Sequence, residues 1–237
     1  MCYSPNDLPP NPPGSPGEAS GSDLTLTSAD GTQFAAYFAH PSSLQPAPNS
    51  PCVILYPDVR GLHNFYKELA LRFAEQGIHA LAIDYFGRTA GLTSRDESFE
   101  YMPHVHQVEF PNALADVQAA IAYLQAHAAE ASEQAPSIFT CGFCFGGSLS
   151  YATSTQPLPL AGAIAFYGSL SRQFTGTDAP VLDLTVNARV PVLGLFGGAD
   201  QGIPEASVHQ LDLNLDTAGV PHEIVVYPGA PHSFFDR

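Results

Sequence analysis

The stretch Gly142-Phe143-Cys144-Phe145-Gly146-Gly147 narrows what this chain can fold into more than any other. Before it, Ser137-Ile138-Phe139-Thr140-Cys141 has the β-branched and aromatic content of a buried strand. After it, Ser148-Leu149-Ser150-Tyr151-Ala152 can wind straight into a helix. A strand that passes directly into a helix needs a sharp, strained turn, and glycines two places either side of its centre let neighbouring chain come close. The result is an exposed side chain at a helix N-terminus, where free N–H groups and the helix dipole favour a thiolate or an oxyanion. Here that side chain is the thiol of Cys144.

Two later stretches agree with this turn. Gly197-Gly198-Ala199-Asp200 follows the strand-like run Val190-Pro191-Val192-Leu193-Gly194-Leu195-Phe196, and Ala230-Pro231-His232-Ser233-Phe234 follows Glu223-Ile224-Val225-Val226-Tyr227. A nucleophile at a Gly-x-nucleophile-x-Gly turn, then an acid after a strand, then a histidine after the last strand, is the chain order of α/β-hydrolase triads. In these roles Cys144 attacks a carbonyl, His232 is its base, and Asp200 orients His232 and stabilises the imidazolium. The oxyanion hole would come from the backbone N–H groups of Phe145 and of Val59, in the loop after the run Cys52–Tyr56.

The rest of the sequence supports one α/β domain. Cys52-Val53-Ile54-Leu55-Tyr56 is continuously apolar, as a strand covered on both faces requires. Residues 23–28 and 33–39 read as an antiparallel hairpin turning at Asp30-Gly31. Helices are expected over 64–76, 113–129 and 205–218, and further strands over 78–85 and 160–167. Residues 86–107 show no period and read as a long excursion over the site, and 171–188 as an irregular loop. This alternation implies a mostly parallel central sheet with helices on both faces and an N-terminal hairpin. Residues 1–22, rich in Pro, Gly and Ser, read as a disordered tail, 42–50 as a Pro/Ser loop, and 23–237 as the α/β-hydrolase domain. The sequence ends shortly after His232, where this architecture has another helix, so a domain lacking that helix is expected.

Charge and cysteine content restrict partners. Eight Lys and Arg against 23 Asp and Glu give a net charge of −15, which repels phosphate backbones and anionic membranes. Four unevenly placed cysteines make no disulfide scaffold, and a nucleophilic thiol must stay reduced. Without a signal peptide or a run of membrane-spanning length, a cytoplasmic protein, monomeric or a small homo-oligomer, is expected.

Four motifs together carry a family resemblance: Gly142–Gly147, the loop Pro57-Asp58-Val59-Arg60-Gly61-Leu62, Asp84-Tyr85-Phe86-Gly87-Arg88, and Ala230-Pro231-His232-Ser233-Phe234-Phe235. With these the chain resembles the dienelactone hydrolase (carboxymethylenebutenolidase) family, in which cysteine replaces the usual serine of the turn. The resemblance implies Cys144, Asp200 and His232 in the triad roles, hydrolysis of a small ester or lactone through a thioester, and no metal or cofactor. It also places Asp58, Arg60, Tyr85 and Arg88 around the substrate. Two positions depart from the family. Asp58 stands where members acting on dienelactone carry a glutamate that pairs with the resting thiol, and Asp236 stands where they carry a second substrate-binding arginine, with Arg237 one place beyond.

Arg88 and Arg60 also read as structural arginines, paired with Asp84 or Asp58. Cys141-Gly142-Phe143-Cys144 is also a C-x-x-C, so a dithiol redox protein is the alternative enzyme, and a non-catalytic binding module on a hydrolase fold is the alternative outside enzymes. His104 and His106 lack further ligands at metal spacing and read as residues of the excursion.

Overall fold

Strands β1 (Ala19–Thr27) and β2 (Gln33–Pro41) form the expected hairpin, paired without a break from Ala19↔Pro41 to Thr27↔Gln33. The structure, a computed structural model, describes residues 7–14, 16–42, 51–129 and 135–236. The ladder begins at Ala19 rather than at Asp23, because His40 and Pro41 extend β2 far enough to pair with it. Part of the expected tail (1–6 and 15) and residues 43–50 of the Pro/Ser loop lie outside the described residues, as do the side chain of Asp236 and all of Arg237. The hairpin turn closes where Gly31 takes a positive φ of 85°, a conformation open to a residue without Cβ.

The apolar run Cys52–Tyr56 is strand β3, buried at every position. It leads into helix α1 (Asn64–Ala74), whose Phe65, Tyr66, Leu69, Ala70 and Ala74 form the buried face. Each large side chain removed from water there contributes about 1.5–3 kcal/mol. Strand β4 (His79–Ile83) follows. The excursion contains two single-turn helices, α2 (Gly87–Ala90) and α3 (Met102–Val105), before the long helix α4 (Phe110–Ala129). Strand β5 (Ile138–Phe143), helix α5 (Phe145–Ser154) and strand β6 (Gly162–Phe166) come next. The stretch expected as irregular loop holds a short helix, α6 (Val181–Leu184), and a 3-10 turn at Thr185–Asn187. Strand β7 (Val192–Gly197), helix α7 (Glu205–Ala218) and strand β8 (His222–Tyr227) complete the sheet, and a 3-10 turn at Phe234–Asp236 follows. Gly219 ends α7 in the left-handed conformation at φ 70°.

The eight strands form one sheet in the order β1-β2-β4-β3-β5-β6-β7-β8. From β4 to β8 every neighbouring pair is parallel, and the pairs β1–β2 and β2–β4 are antiparallel. The crossover through α1 moves one way along the sheet, and those through α4, α5 and α7 move the other way. Right-handed crossovers therefore put α1 on one face and the other three on the opposite face. This is the α/β-hydrolase fold. Its consequence for chemistry is simple: the loops after β3, β5, β6, β7 and β8 all leave the same edge of the sheet. Among the described residues no helix is long and apolar enough to cross a membrane.

Candidate active site

Strand β5 ends at Phe143, and α5 begins at Phe145, so Cys144 alone makes the turn. It does so at φ 53° and ψ −109°, in the left-handed half of backbone space where a residue with a Cβ is strained. The surroundings hold it there: Cys144 N–H donates to Phe166 O at 3.0 Å, and Cys144 O accepts from Ser148 N–H at 3.1 Å. The two flanking glycines are required by close approach. A Cβ on Gly142 would lie 2.0 Å from Gly146 O, and one on Gly146 would lie 2.0 Å from Tyr56 O and 2.5 Å from Pro57 O. The second pair of contacts presses the start of α5 against the loop that leaves β3. The two segments follow neighbouring parallel strands, β5 and β3.

Asp200 follows β7 and His232 follows β8. His232 Nδ1 lies 2.6 Å from Asp200 Oδ2. The Asp200 side chain is nearly buried, and His232 keeps about a third of its surface, at 31%. With Nδ1 used by Asp200, the other ring nitrogen is left for the hydrogen bond His232 shares with Cys144. Burial alone would lower the His232 pKa, but the hydrogen bond and charge of Cys144, and then those of Asp200, outweigh it and raise the pKa to about 9. The structure thus brings Cys144, His232 and Asp200 into one chain of contacts. Tyr167, at the end of β6, packs its ring 5.0 Å from that of His232 and carries a positive φ of 38°.

The loop after β3 is braced from within. Asp58 Oδ1 accepts from Arg60 N–H at 2.8 Å, and Gly61 N–H donates to Asp58 O at 3.1 Å. Asp58 Oδ2 faces His63 Nε2 at 3.7 Å, and both side chains are buried. The His63 ring packs on Tyr66, whose hydroxyl accepts from Asp58 N–H at 3.0 Å. In this arrangement the carboxylate of Asp58 is turned to a histidine of its own loop. Tyr85 donates its hydroxyl to Pro57 O at 2.9 Å and sets its ring 5.2 Å from that of Phe145. Burial pushes the Tyr85 phenol well above its ordinary pKa, and the charges of Asp58 and Cys144 add to this.

The arginines are placed less as the sequence suggested. Arg88 Nη1 grips Asp116 at 2.6 and 2.7 Å and its Nη2 reaches Asp30 at 3.0 Å, while Ser28 also donates to Asp116. Its charge is therefore spent on α4 and the hairpin turn. Asp84 pairs with Arg95, not with Arg88, in an ion pair that is almost completely buried. Asp84 also accepts from Leu62 N–H and Phe86 N–H, which ties the loop after β3 to the excursion. The guanidinium of Arg60 lies 6.0 Å from the Tyr101 ring centre. Arg172, which sequence reading passed over, stacks 4.7 Å from the ring of Phe145, and its charge acts on Cys144. Only its position after β6, at the same sheet edge, could have pointed to it.

Cys141 lies in the middle of the sheet, paired with Leu55 and Ile164, and burial pushes its thiol up to about 12. Cys52, Cys141 and Cys144 are free thiols. His104 stacks on Phe99 within the excursion. Among the described residues one group could hold a metal ion: Asp212, Asp216 and His222, at the opposite end of β8 from the loop of His232. A cleft of about 580 Å³ between β1, α1 and residues 92–96 is lined by Asp23, His63, Lys67 and Arg95, among others, and by none of Cys144, Asp200 or His232.

The model of the dienelactone hydrolase family matches residues 34–237. A protein of Salmonella typhimurium named "Putative carboxymethylenebutenolidase" is 29% identical over 226 residues, covering 92% of this chain and 80% of its own. One of the same name from Synechocystis sp. is 31% identical over 210 residues, covering 86% of this chain and 82% of its own. Among solved structures, one titled as a putative dienelactone hydrolase from Klebsiella pneumoniae superposes with a TM-score of 0.78 at 27% identity, covering 92% of this chain and 88% of that one.

Proposed function

The chain belongs to the dienelactone hydrolase family and is a carboxylic ester or lactone hydrolase, and from that premise we propose that it works through Cys144 and a thioester intermediate. The observation that carries the proposal is His232 held between Asp200, at 2.6 Å, and the sulfur of Cys144. In the cycle the Cys144 thiolate attacks the carbonyl carbon of a small ester or lactone. The oxygen that becomes negative is received by the N–H groups of Val59 and Phe145. As the tetrahedral intermediate collapses, the imidazolium of His232 gives its proton to the departing alkoxide, leaving an acyl thioester on Cys144. Neutral His232 then takes a proton from water, and the hydroxide displaces the thiolate to release the carboxylic acid. Asp200 keeps His232 in one tautomer and stabilises it when charged. These residues supply nucleophile, base and orienting acid, so the cycle requires no cofactor.

We place the reaction in the cytoplasm, where a reducing environment keeps thiols such as Cys144 active. The net charge of −15 supports a small-molecule substrate and no nucleic-acid partner for a monomer or small homo-oligomer. The test is hydrolysis of dienelactone, neutral lactones and short acyl esters by wild type and Cys144→Ala. Turnover by wild type that vanishes in a folded Cys144→Ala is the expected result. Equal turnover by both, or none by wild type, removes the proposal.

A further inference from the structure

Arg88 and Arg95 already have carboxylates: Asp116 and Asp30 for the first, Asp84 for the second. Arg172 differs. Among the described residues its side chain has no hydrogen bond or ion pair, and its Nε is shut off from solvent. Instead the guanidinium lies 4.7 Å from the ring centre of Phe145 and 5.8 Å from that of Phe174. Phe145 is the residue directly after Cys144, and the two phenyl rings meet edge to face at 5.4 Å. The backbone beneath is fixed, since Val181 N–H donates to Arg172 O at 2.8 Å and Leu182 N–H to Leu170 O at 2.9 Å. Burial weakens the guanidinium's hold on its proton, and the nearby sulfur of Cys144 opposes that. An aromatic face steadies a guanidinium without neutralising it, and it leaves the N–H edge free to grip a carboxylate side-on. A half-buried guanidinium with no carboxylate partner among the described residues, stacked on the residue that follows the reacting sulfur, is placed to receive an anion.

We propose that Arg172 is a specificity-determining residue, whose guanidinium, stacked on Phe145 and Phe174, receives a carboxylate carried by the molecule that reacts at Cys144. The assignment rests on the reading of Cys144 as the reactive thiol. It gives the anion-binding role to the loop after β6 and leaves Arg88 as the clamp between α4 and the hairpin. Neutral esters of the same size react at the same sulfur, but without this contact.

The test compares two alkylating agents of nearly equal size, iodoacetate and iodoacetamide, with peptide mass mapping to assign the label to Cys144. Their rate ratio is taken relative to that for a free cysteine derivative. In wild type the ratio favours iodoacetate, and Arg172→Gln lowers it about tenfold or more, the scale of a hydrogen-bonded charge contact. Arg88→Gln leaves the ratio unchanged. Arg172→Met, which keeps an unbranched chain against Phe145, repeats the comparison should Arg172→Gln fail to fold. No preference for iodoacetate in wild type overturns the assignment, and so does a ratio untouched by Arg172→Gln. A parallel fall with both reagents also overturns it, since that marks support of the thiolate and not recognition of an anion. 4-Nitrophenyl hemisuccinate and 4-nitrophenyl butyrate extend the comparison to turnover, where Arg172→Gln lowers kcat/KM for the first alone. A protein that hydrolyses neither ester but keeps the Arg172-dependent ratio contradicts the hydrolase cycle and leaves the anion site standing.

Discussion

Asp200 Oδ2 sits 2.6 Å from His232 Nδ1, joining two loops that leave neighbouring parallel strands. A carboxylate this close fixes one tautomer of the imidazole and leaves its other nitrogen toward Cys144. Asp200→Asn keeps the shape, but its amide can donate where the carboxylate accepted, which selects the wrong tautomer. The expected loss in kcat is about three to four orders of magnitude with little change in melting temperature. A loss under about tenfold in a folded variant contradicts the orienting role.

His232 provides a pH signature. Its pKa is raised from the ordinary 6.5 to about 9 in the folded protein, with Cys144 the first of the groups that raise it. A proton held more tightly when folded stabilises the protein fully below pH 6.5, and that contribution is lost as pH rises through about 9. Histidine-detected NMR should place the His232 titration near 9 in wild type and markedly lower in Cys144→Ala. Thermal melts of wild type should also fall more steeply between pH 7 and 9.5 than those of the variant. An unchanged titration in Cys144→Ala contradicts the sulfur as its cause.

Gly146 tests the packing that makes the turn possible. In Gly146→Ala the new methyl would stand 2.0 Å from Tyr56 O and 2.5 Å from Pro57 O, and both contacts are backbone. Moving the loop after β3 aside should cost at least the upper end of the ~1–3 kcal/mol typical of overpacking. Urea denaturation measures it. A variant as stable as wild type means the two segments are not pressed together.

Asp84 and Arg95 form a buried ion pair near the site, with side chains 0% and 2% exposed. Asp84→Asn leaves the Arg95 cation without its counter-charge and weakens the hold on Leu62 and Phe86. The expected cost is about 3–5 kcal/mol, read from urea denaturation. A cost below about 1 kcal/mol would mean that the excursion and the loop after β3 are held together by other contacts.

How much of this was legible in the sequence depends on how local each signal is. Cys52–Tyr56 and Glu205–Ala218 carry full apolar patterns, and both elements have those bounds. The turn at Cys144 announces itself through glycines whose missing Cβ atoms the packing needs, and chain order suggested that Asp200 and His232 would meet. The four-residue helices α2, α3 and α6 were not legible, because a single turn has no period to read. Nor were ion-pair partners. Arg88 finds Asp116 on α4, 28 residues away, and Asp84 finds Arg95 across a loop, choices made by tertiary packing. Arg172 lies in a stretch without pattern and reaches Phe145 only because β5 and β6 are neighbours in the sheet.

The most direct measurement is to quench wild-type enzyme rapidly during turnover of 4-nitrophenyl acetate and locate the acetyl group by peptide mass spectrometry. A thioester on Cys144, formed at the rate of the nitrophenol burst and absent from Cys144→Ala, is the predicted result. An acetyl group carried on another residue at that rate, or a burst that survives in Cys144→Ala, contradicts catalysis by Cys144.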